Sequence, residues 1–425
     1  MGRNSKPSRR GALATGFVQL GTAVAFVLGS LLPRAPTVSL EEFDQTGREP
    51  WIWISPEQIR NLPMSGPEWD ARGAPWNQNR GVHYYAQQDT SAPQIGNQDD
   101  STDVYVMAKA MVWLRLKQEA TPPEDPEPYR AAVQAACLAA RGTEYEGLNQ
   151  TTLALGRNLL GYVVAANLIE WDDSVAGQRE SDFRAWVNQA RQEFFADGVT
   201  FSRNLTEAHE TRANNWGLMC GASRLAAAIY LHDGREETRC WDVFRRWLGD
   251  ESSPFEFPPE AWGGLSWQAD RAHPVGINPI NARKRDCGDV RRVIGGVLPE
   301  EMRRAGPFDT LDPCDPLWTW PAFPDRAERN YNWNALQAVL AQAAIHDRRG
   351  RNPWRIGTWA IARAFDWLYT RLDFPVTHPD AGDDDYWMPA MVNHMYPLQL
   401  PEPVGTKPGQ QVGYTDWTTL DPSWP

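Results

Sequence analysis

Apolar residues recur at helical spacing through most of this chain, in segments long enough for several helical turns. Short stretches rich in Pro or Gly, such as "TPPEDPEP" ahead of residue 129, separate these segments, and no alternating strand pattern lies between them. The predicted helices cover residues 103–117, 129–141, 153–171, 181–196, 209–231, 235–249, 330–347 and 353–372. Their order predicts an all-α protein that is built from stacked antiparallel helix pairs.

Many of these helices carry apolar residues on more than one face, which is expected where an inner layer of helices packs against an outer one. An incomplete (α/α)n toroid, or barrel, accommodates such layers better than a four-helix bundle does. Residues 250–328 interrupt the pattern with segments dense in Trp, Pro and Gly, so we expect a loop insertion there. The toroid domain is expected over 51–400, followed by a Pro-rich C-terminal tail over 401–425.

The first residues have the pattern of a targeting segment. Basic "MGRNSKPSRR" precedes an uncharged apolar run over 11–32, which is just long enough to span a bilayer. This pattern predicts a signal peptide or an N-terminal membrane anchor over 1–34, with its positive end inside, and a linker over 35–50. The rest of the chain is then expected to be extracytoplasmic, whether secreted, periplasmic or anchored through 11–32.

Charge and composition narrow the choice of partners. The net charge of −12 disfavours nonspecific contact with nucleic acid, so no nucleic-acid partner is expected. The 21 Trp residues favour carbohydrate binding, because indole suits the flat amphipathic faces of sugar rings, although packing in a helical core is the other explanation. The five cysteines have no CxxC spacing and indicate no zinc site, while Cys287 and Cys314 could pair in an oxidising compartment.

The stretch "HETRANNWG" (209–217) places two adjacent asparagines ahead of an apolar helical run. Asn is a poor helix former because its side chain competes for backbone hydrogen bonds, so the pair belongs at a cap or at a ligand site. A cap explains one Asn more easily than two. On a continuous helix, His209, Arg212 and Trp216 would lie on one face.

Three segments occur in a fixed order: "NNWG" ahead of an Ala-rich helix, then "GGVLPEEMRRAG", then "NYNWNALQAVLAQA". In this order, and over roughly 51–400, the chain resembles the alginate-lyase family of polysaccharide lyases. That family has an Asn-Asn-His motif that opens a helix, a G-x-L-P-x-E-x-x-R segment, and a Tyr-His-Asn-x-Ala-Leu motif that opens another helix. The resemblance implies an α/α toroid that cleaves an acidic polysaccharide or oligosaccharide by β-elimination.

Such an elimination removes the C5 proton of a 4-linked uronate, which is weakly acidic while the neighbouring carboxylate is fully charged. A lyase therefore needs a group that neutralises the carboxylate, a base for the proton and an acid for the leaving oxygen. The resemblance implies that Asn215, with Asn214 and Arg212, neutralises the carboxylate, and that Tyr331 acts as base, acid or both. It implies no obligatory metal and no cofactor.

The same resemblance implies that Arg304 holds the substrate, and Arg303 matches the motif nearly as well. A solvated arginine pair, and a core aromatic in the case of Tyr331, are the structural alternatives. Trp216 and Asn332 stand where the family has His, so we consider them substrate contacts. His209 is then a substitute for the missing histidine.

His394 lies near the family's last site region and is a further candidate for substrate binding.

Two other functions stay open. A glycoside hydrolase on an α/α barrel would need two facing carboxylates, for which Glu210, Asp270 and Asp384 are candidates. A glycan-binding or envelope-assembly protein would keep the scaffold without turnover.

Overall fold

A computed structural model of the protein describes eleven parts of the chain, all within the unit that spans Phe43–Pro425. These parts are residues 50–69, 81–145, 151–177, 179–196, 202–258, 296, 298, 301, 326–371, 386–402 and 409–425. The predicted leader or anchor over 1–34, most of the linker, and most of the Trp/Pro-rich insertion lie outside them. Among the described helices, none combines the length and the apolarity that a membrane span requires.

The described residues form an all-α structure, as predicted. The helices are α1 Pro56–Arg60, α2 Val82–Tyr85, α3 Thr102–Lys117, α4 Glu127–Ala139, α5 Thr151–Leu168, α6 Glu180–Ala190, α7 Leu205–Thr211, α8 Asn215–Tyr230, α9 Gly234–Trp247, α10 Arg326–Arg348, α11 Ile356–Asp366, α12 Met388–Met395 and α13 Thr415–Thr418. Single turns of tighter or wider helix cover Thr143–Tyr145, Pro353–Arg355 and Trp367–Arg371. An antiparallel ribbon of two-residue strands, β1 Phe195–Ala196 and β2 Ser202–Arg203, joins α6 to α7.

Helices α5 and α8 form the inner layer. Every residue of α5 except Asn167 is buried, and so is every residue of α8 except Trp216. α5 packs against both α3 and α8, and α8 also packs against α7, α9 and α10. The helices α4, α6 and α9 bury one face and expose the other, so the predicted division into inner and outer helices holds in this part of the chain.

Three predicted helices differ from the observed ones. The helix predicted over 209–231 is two helices, α7 and α8, and the one predicted over 181–196 ends at Ala190 because the chain then enters the ribbon. The helix predicted over 353–372 contains a left-handed turn, since Gly357, Thr358 and Trp359 have φ values of 60°, 57° and 56°. The Arg363 guanidinium donates hydrogen bonds to the carbonyls of Gly357 and Thr358 and so holds this turn in place.

The prediction of a tail over 401–425 is wrong for residues 409–425. Tyr414, Trp417 and Trp424 are buried in the core, and the indole of Trp424 donates to the carbonyl of Trp53 at 2.9 Å. The indole of Trp417 donates to the carbonyl of Pro63 at 2.8 Å. Aromatic side chains that bury this much apolar surface tie a segment to its domain regardless of its Pro content, so the domain does not stop at residue 400.

Candidate functional site

The chain bends sharply at Arg212–Asn214, between α7 and α8. Gly217, the glycine of "NNWG", lies directly under this bend: a Cβ atom at Gly217 would stand 1.8 Å from the carbonyl oxygen of Arg212. Any other residue would push the two backbone segments apart. Because the helix is broken here, the expectation that His209, Arg212 and Trp216 share one continuous helix face is wrong.

The two asparagines at this bend have different surroundings. Asn214 is the N-cap of α8, and its side-chain oxygen accepts a hydrogen bond from the Trp216 backbone N–H at 3.1 Å. Asn215 begins the helix, is 3% exposed, and has a side-chain oxygen with no hydrogen-bond partner among the described residues. The cap therefore accounts for Asn214 and leaves the buried amide of Asn215 without a structural explanation.

A buried carboxylate lies at the start of α8. Glu301, which is 1% exposed, accepts a hydrogen bond from the backbone N–H of Asn215. Negative charge is favourable at a helix N-terminus, where backbone N–H groups have no partner within the helix. Glu301 is the Glu of the "LPEE" segment, so this contact joins the first and second of the three motifs.

The third motif opens α10, and contacts along α9 fix the direction in which α10 runs. The Phe244 ring of α9 stacks on His346, and Glu237, nearer the start of α9, pairs with Arg349, which follows α10. The Trp247 indole, at the end of α9, donates to the carbonyl of Ala213, just ahead of α8, at 2.9 Å. Residue numbers on α10 therefore rise as those on α9 fall. It follows that α10 begins at the same end of the layer as α8 does.

Packing against α11 brings the second and third motifs together. The backbone of Gly296 lies against that of Arg363, because a Cβ atom there would stand 2.0 Å from the Arg363 carbonyl oxygen. The ring of Trp333, on the first part of α10, lies 6.2 Å from the ring of Phe365 and 5.7 Å from that of Tyr369. Contacts thus join the first motif to the second, through Asn215 and Glu301, and join the second and third motifs to the chain segment 363–369.

Within this arrangement, Tyr331 is half-buried and Asn332 is 2% exposed. The Arg212 guanidinium lies 4.6 Å above the centre of the Trp216 ring, a cation–π contact between two half-buried side chains. Arg303 and Arg304 lie outside the described residues. The described contacts therefore place a cation, Arg212, and a buried amide, Asn215, at the start of α8, and the helix that carries Tyr331 runs in the same direction as α8.

His209 is not placed to act on a substrate. Its imidazole is 2% exposed, its Nδ1 lies 3.3 Å from a guanidinium nitrogen of Arg224, and its Nε2 faces the backbone of Gly221. Burial, and then the charges of Arg224 and Arg239, lower the pKa of His209 well below its usual value. His209 is therefore a neutral core residue, and we leave it out of the candidate site.

The described contacts of His394 are structural ones. Its Nε2 lies against the carbonyl oxygen of Trp424, and the neighbouring Asn393 accepts a hydrogen bond from the Leu400 backbone N–H at 2.7 Å. These contacts hold α12 against the C-terminal segment. None of the described contacts of His394 involves the start of α8.

The hydrolase candidate Glu210 is held by two ion pairs. Its carboxylate oxygens lie 2.9 Å from Arg224 and 2.7 Å from Arg239. Burial acts to raise the pKa of Glu210, but the hydrogen bonds and charges of Arg239 and Arg224 outweigh it, and the pKa falls below its usual value. Such a carboxylate is a poor proton donor at neutral pH. Asp270 and Asp384 lie outside the described residues.

No group of His, Cys, Asp and Glu in the described part of the chain has the arrangement of a metal site. Cys137, Cys220 and Cys240 are buried free thiols, whereas Cys287 and Cys314, whose pairing the sequence leaves open, lie outside the described residues. Comparisons of the chain with protein-family models, with curated proteins and with solved structures gave no match.

The residue that sequence reasoning missed is Glu301. It was present in the quoted "LPEE" segment, but a glutamate in a polar segment carries no signal that it will be buried. Its partner is a backbone N–H, and a backbone group leaves no trace in the pattern of residue types.

Proposed function

We propose that this protein is a polysaccharide lyase that cleaves a uronate-containing glycan by β-elimination, on an incomplete α/α toroid. The observation that carries the proposal is the buried amide of Asn215, whose side-chain oxygen has no hydrogen-bond partner among the described residues at the start of α8. A buried polar group without a partner costs about 1–3 kcal/mol, so such a group is retained where a ligand supplies the partner.

The chemistry of elimination calls for such an amide. As negative charge develops on the uronate during removal of the C5 proton, a fixed hydrogen-bond donor lowers the barrier. A half-turn of the Asn215 amide exchanges its oxygen for its NH₂ group, which then donates to the substrate carboxylate. Arg212, held over the Trp216 ring, supplies a positive charge beside it.

Glu301 has a separate role in this proposal. Because it already accepts the N–H at the start of α8, the substrate carboxylate binds to side chains and not to that N–H group. We assign Tyr331 the proton transfers at C5 and at the leaving oxygen, with Arg304 or Arg303 and Asn332 holding the glycan. The order of the three motifs, and the common end at which α8 and α10 begin, support this assignment.

An extracytoplasmic location belongs to the same proposal, since a polymeric substrate lies outside the cytoplasm and the apolar run over 11–32 provides the export or anchoring signal. Labelling of the intact cell with a membrane-impermeant reagent tests it. Labelling of the protein in intact cells is expected, and labelling only after lysis would contradict it.

The test of activity uses the protein with a panel of alginate, glucuronan, chondroitin, hyaluronan and pectate. Elimination creates an unsaturated product that absorbs in the near ultraviolet. We expect absorbance to rise with at least one polymer, and the Tyr331→Phe variant to lose this activity. Tyr84→Phe, at another half-buried tyrosine, is the matched control and should keep it.

One observation favours a second function, that of a glycan-binding protein without turnover. Trp216 and Asn332 stand where the resembled family has His, and His209 is buried in the core. This alternative predicts that sugar binds but that no unsaturated product forms, and that Tyr331→Phe binds as well as the parent. New reducing ends without absorbance would instead indicate the hydrolase. The ion pairs of Glu210 make this function less favourable, because they make its carboxylate a poor proton donor.

A further inference from the structure

A groove lies at the far end of α8, remote from the candidate site. It has a volume of about 480 Å³ and lies between the ends of α5 and α8, the start of α6 and the segment at Trp51. α8 spans about 24 Å from Asn215 to Tyr230, so the groove and the candidate site are separate. Nothing in the proposed lyase chemistry uses it.

The groove contains a residue in a costly backbone conformation. His232 has a φ of 60° at the position after the end of α8, where helices prefer glycine. The hydrogen bonds from Asp233 N–H to the Ala228 carbonyl and from His232 N–H to the Ile229 carbonyl complete this helix ending. Gly would serve the turn at lower cost. This chain has a histidine at that position in place of glycine, and the histidine side chain lines the groove.

The charged side chains that line the groove are three carboxylates, those of Glu170, Asp173 and Glu180, and one guanidinium, that of Arg184. Glu170 is paired with Lys117. The carboxylate of Asp173, an exposed residue at the rim of the groove, accepts the Glu180 backbone N–H at 2.9 Å and has no cationic partner among the described residues. Glu180, in contrast, is engaged by Arg184 at 3.3 Å and by the Tyr230 hydroxyl at 3.0 Å. The C-terminal ends of α5 and α8 add partial negative charge from their carbonyl groups, which the N-terminal end of α6 partly offsets.

Aromatic rings supply the other wall. Trp51 and Trp171 are half-buried and line the groove. The Trp171 indole donates to the Ala166 carbonyl at 3.1 Å, which fixes its ring. The Arg184 guanidinium lies 4.7 Å above the Tyr230 ring, so a cation already occupies one aromatic face of this groove. Rings beside an uncompensated carboxylate are the arrangement that recognises organic ammonium groups.

We propose that this groove binds a small organic ammonium ion, with the charged nitrogen next to Asp173 and the apolar part on Trp51 and Trp171. The inference rests on the groove alone and holds whether or not the protein is a lyase. His232 closes one side of the bound ion.

The test is titration calorimetry of the full chain with choline as probe. Its uncharged isostere 3,3-dimethylbutan-1-ol is the matched ligand control, because it has the same shape without the charge. We expect choline to bind about ten-fold more tightly than the isostere, which is the discrimination that a cation–π contact and a carboxylate contact at a partly exposed site provide together. Equal binding of the two ligands, or binding of neutral or anionic sugars but not of choline, would overturn the proposal.

Two variants locate the site. Asp173→Asn keeps the oxygen that accepts the Glu180 N–H and removes only the charge. His232→Gly removes the side chain and relieves the positive φ, so the fold should be kept or stabilised. Each is expected to weaken choline binding about five-fold, whereas Asp99→Asn, an exposed residue elsewhere, should leave it unchanged. Choline affinity that survives both substitutions would overturn the assignment of this groove.

Discussion

The carboxylate of Glu301 accepts a hydrogen bond from the backbone N–H of Asn215, across 86 residues of chain. This contact fixes the "LPEE" segment against the start of α8, where a negative charge is favourable. It places one acidic group at the backbone of Asn215, whose side-chain oxygen has no hydrogen-bond partner in the part of the chain that the structure describes. The contact between Glu301 and Asn215 therefore positions the second motif at the candidate site.

The first prediction concerns Glu301. Glu301→Gln keeps the size of the side chain and an acceptor for the N–H but removes the charge, so the free energy of unfolding should fall by about 1–2 kcal/mol. Urea unfolding measures this loss. Glu256→Gln is the control, because Glu256 is exposed and should cost nothing measurable. Equal stability of the Glu301 variant and the parent would mean that the contact contributes no stability.

The second prediction separates the two asparagines by the sign of their effects. Asn214→Ala removes the cap of α8 and should lower the free energy of unfolding by about 1 kcal/mol. Asn215→Ala replaces a buried amide, whose oxygen has no hydrogen-bond partner among the described residues, with a better helix former, so stability should stay the same or rise. Thermal and urea unfolding of the two variants give the comparison. A larger loss at Asn215 than at Asn214 would show that its amide has a structural partner.

The third prediction concerns the bend between α7 and α8. Gly217→Ala puts a methyl group where the Arg212 carbonyl lies, and the buried neighbours Ala213 and Leu218 limit how far either backbone segment can move. We expect a loss of about 1–3 kcal/mol in unfolding free energy. Ala222→Gly, at a buried position later in the same helix, provides a reference for a simple change in helix propensity and packing. A stable Gly217→Ala variant would contradict the close approach.

The fourth prediction is a pH dependence that arises from two buried histidines. Burial, followed by the charge of Arg224 for His209 and of Arg351 for His346, lowers both pKa values well below 6.5. The unfolded chain therefore binds more protons than the folded chain once the pH falls below the unfolded pKa. Stability is lost in that direction, by about 1.4 kcal/mol per histidine between about pH 7.5 and about pH 5.5.

His346→Phe tests this prediction, because a phenyl ring keeps the packing against Trp241 and Phe244. The variant should lose about 1.4 kcal/mol less than the parent over the same pH interval. Burial raises the pKa of Asp103, so this carboxyl acts with the opposite sign, but it does so equally in both proteins and cancels in the difference. Identical pH profiles would contradict the neutral buried state of His346.

The helical class and the division into inner and outer helices could be predicted, because burial on all sides leaves a continuous apolar pattern in α5 and α8. The position of the break at Arg212–Asn214 could not be predicted from the sequence. His209 and Thr211 are helical both in the predicted single helix and in the two observed helices. The break depends on a tertiary contact, in which the Arg212 carbonyl lies against the backbone of Gly217. The packing of the C-terminal segment is not evident from its Pro-rich sequence, because it depends on where Trp417 and Trp424 are buried in the core.

The candidate site was predictable in its residue types but not in its contacts. Two adjacent asparagines ahead of a helix indicate one cap and one further role, and the structure assigns the cap to Asn214. Which histidines lie in the core could not be inferred, because His209 is surrounded by polar residues in sequence and by helices in space. Burial of that kind depends on α8 and α10, which lie far apart along the chain.

The most direct test of the central claim is the rate of unsaturated product formation by Asn215→Ala and Asn214→Ala beside the parent, on the uronate polymer that the parent cleaves. The account predicts that Asn215→Ala is folded and loses at least about a hundred-fold in rate, as removal of a donor that stabilises developing charge does. Asn214→Ala should keep most of the activity despite its lower stability. Full activity of Asn215→Ala, or no unsaturated product from any uronate polymer with the parent, would contradict it.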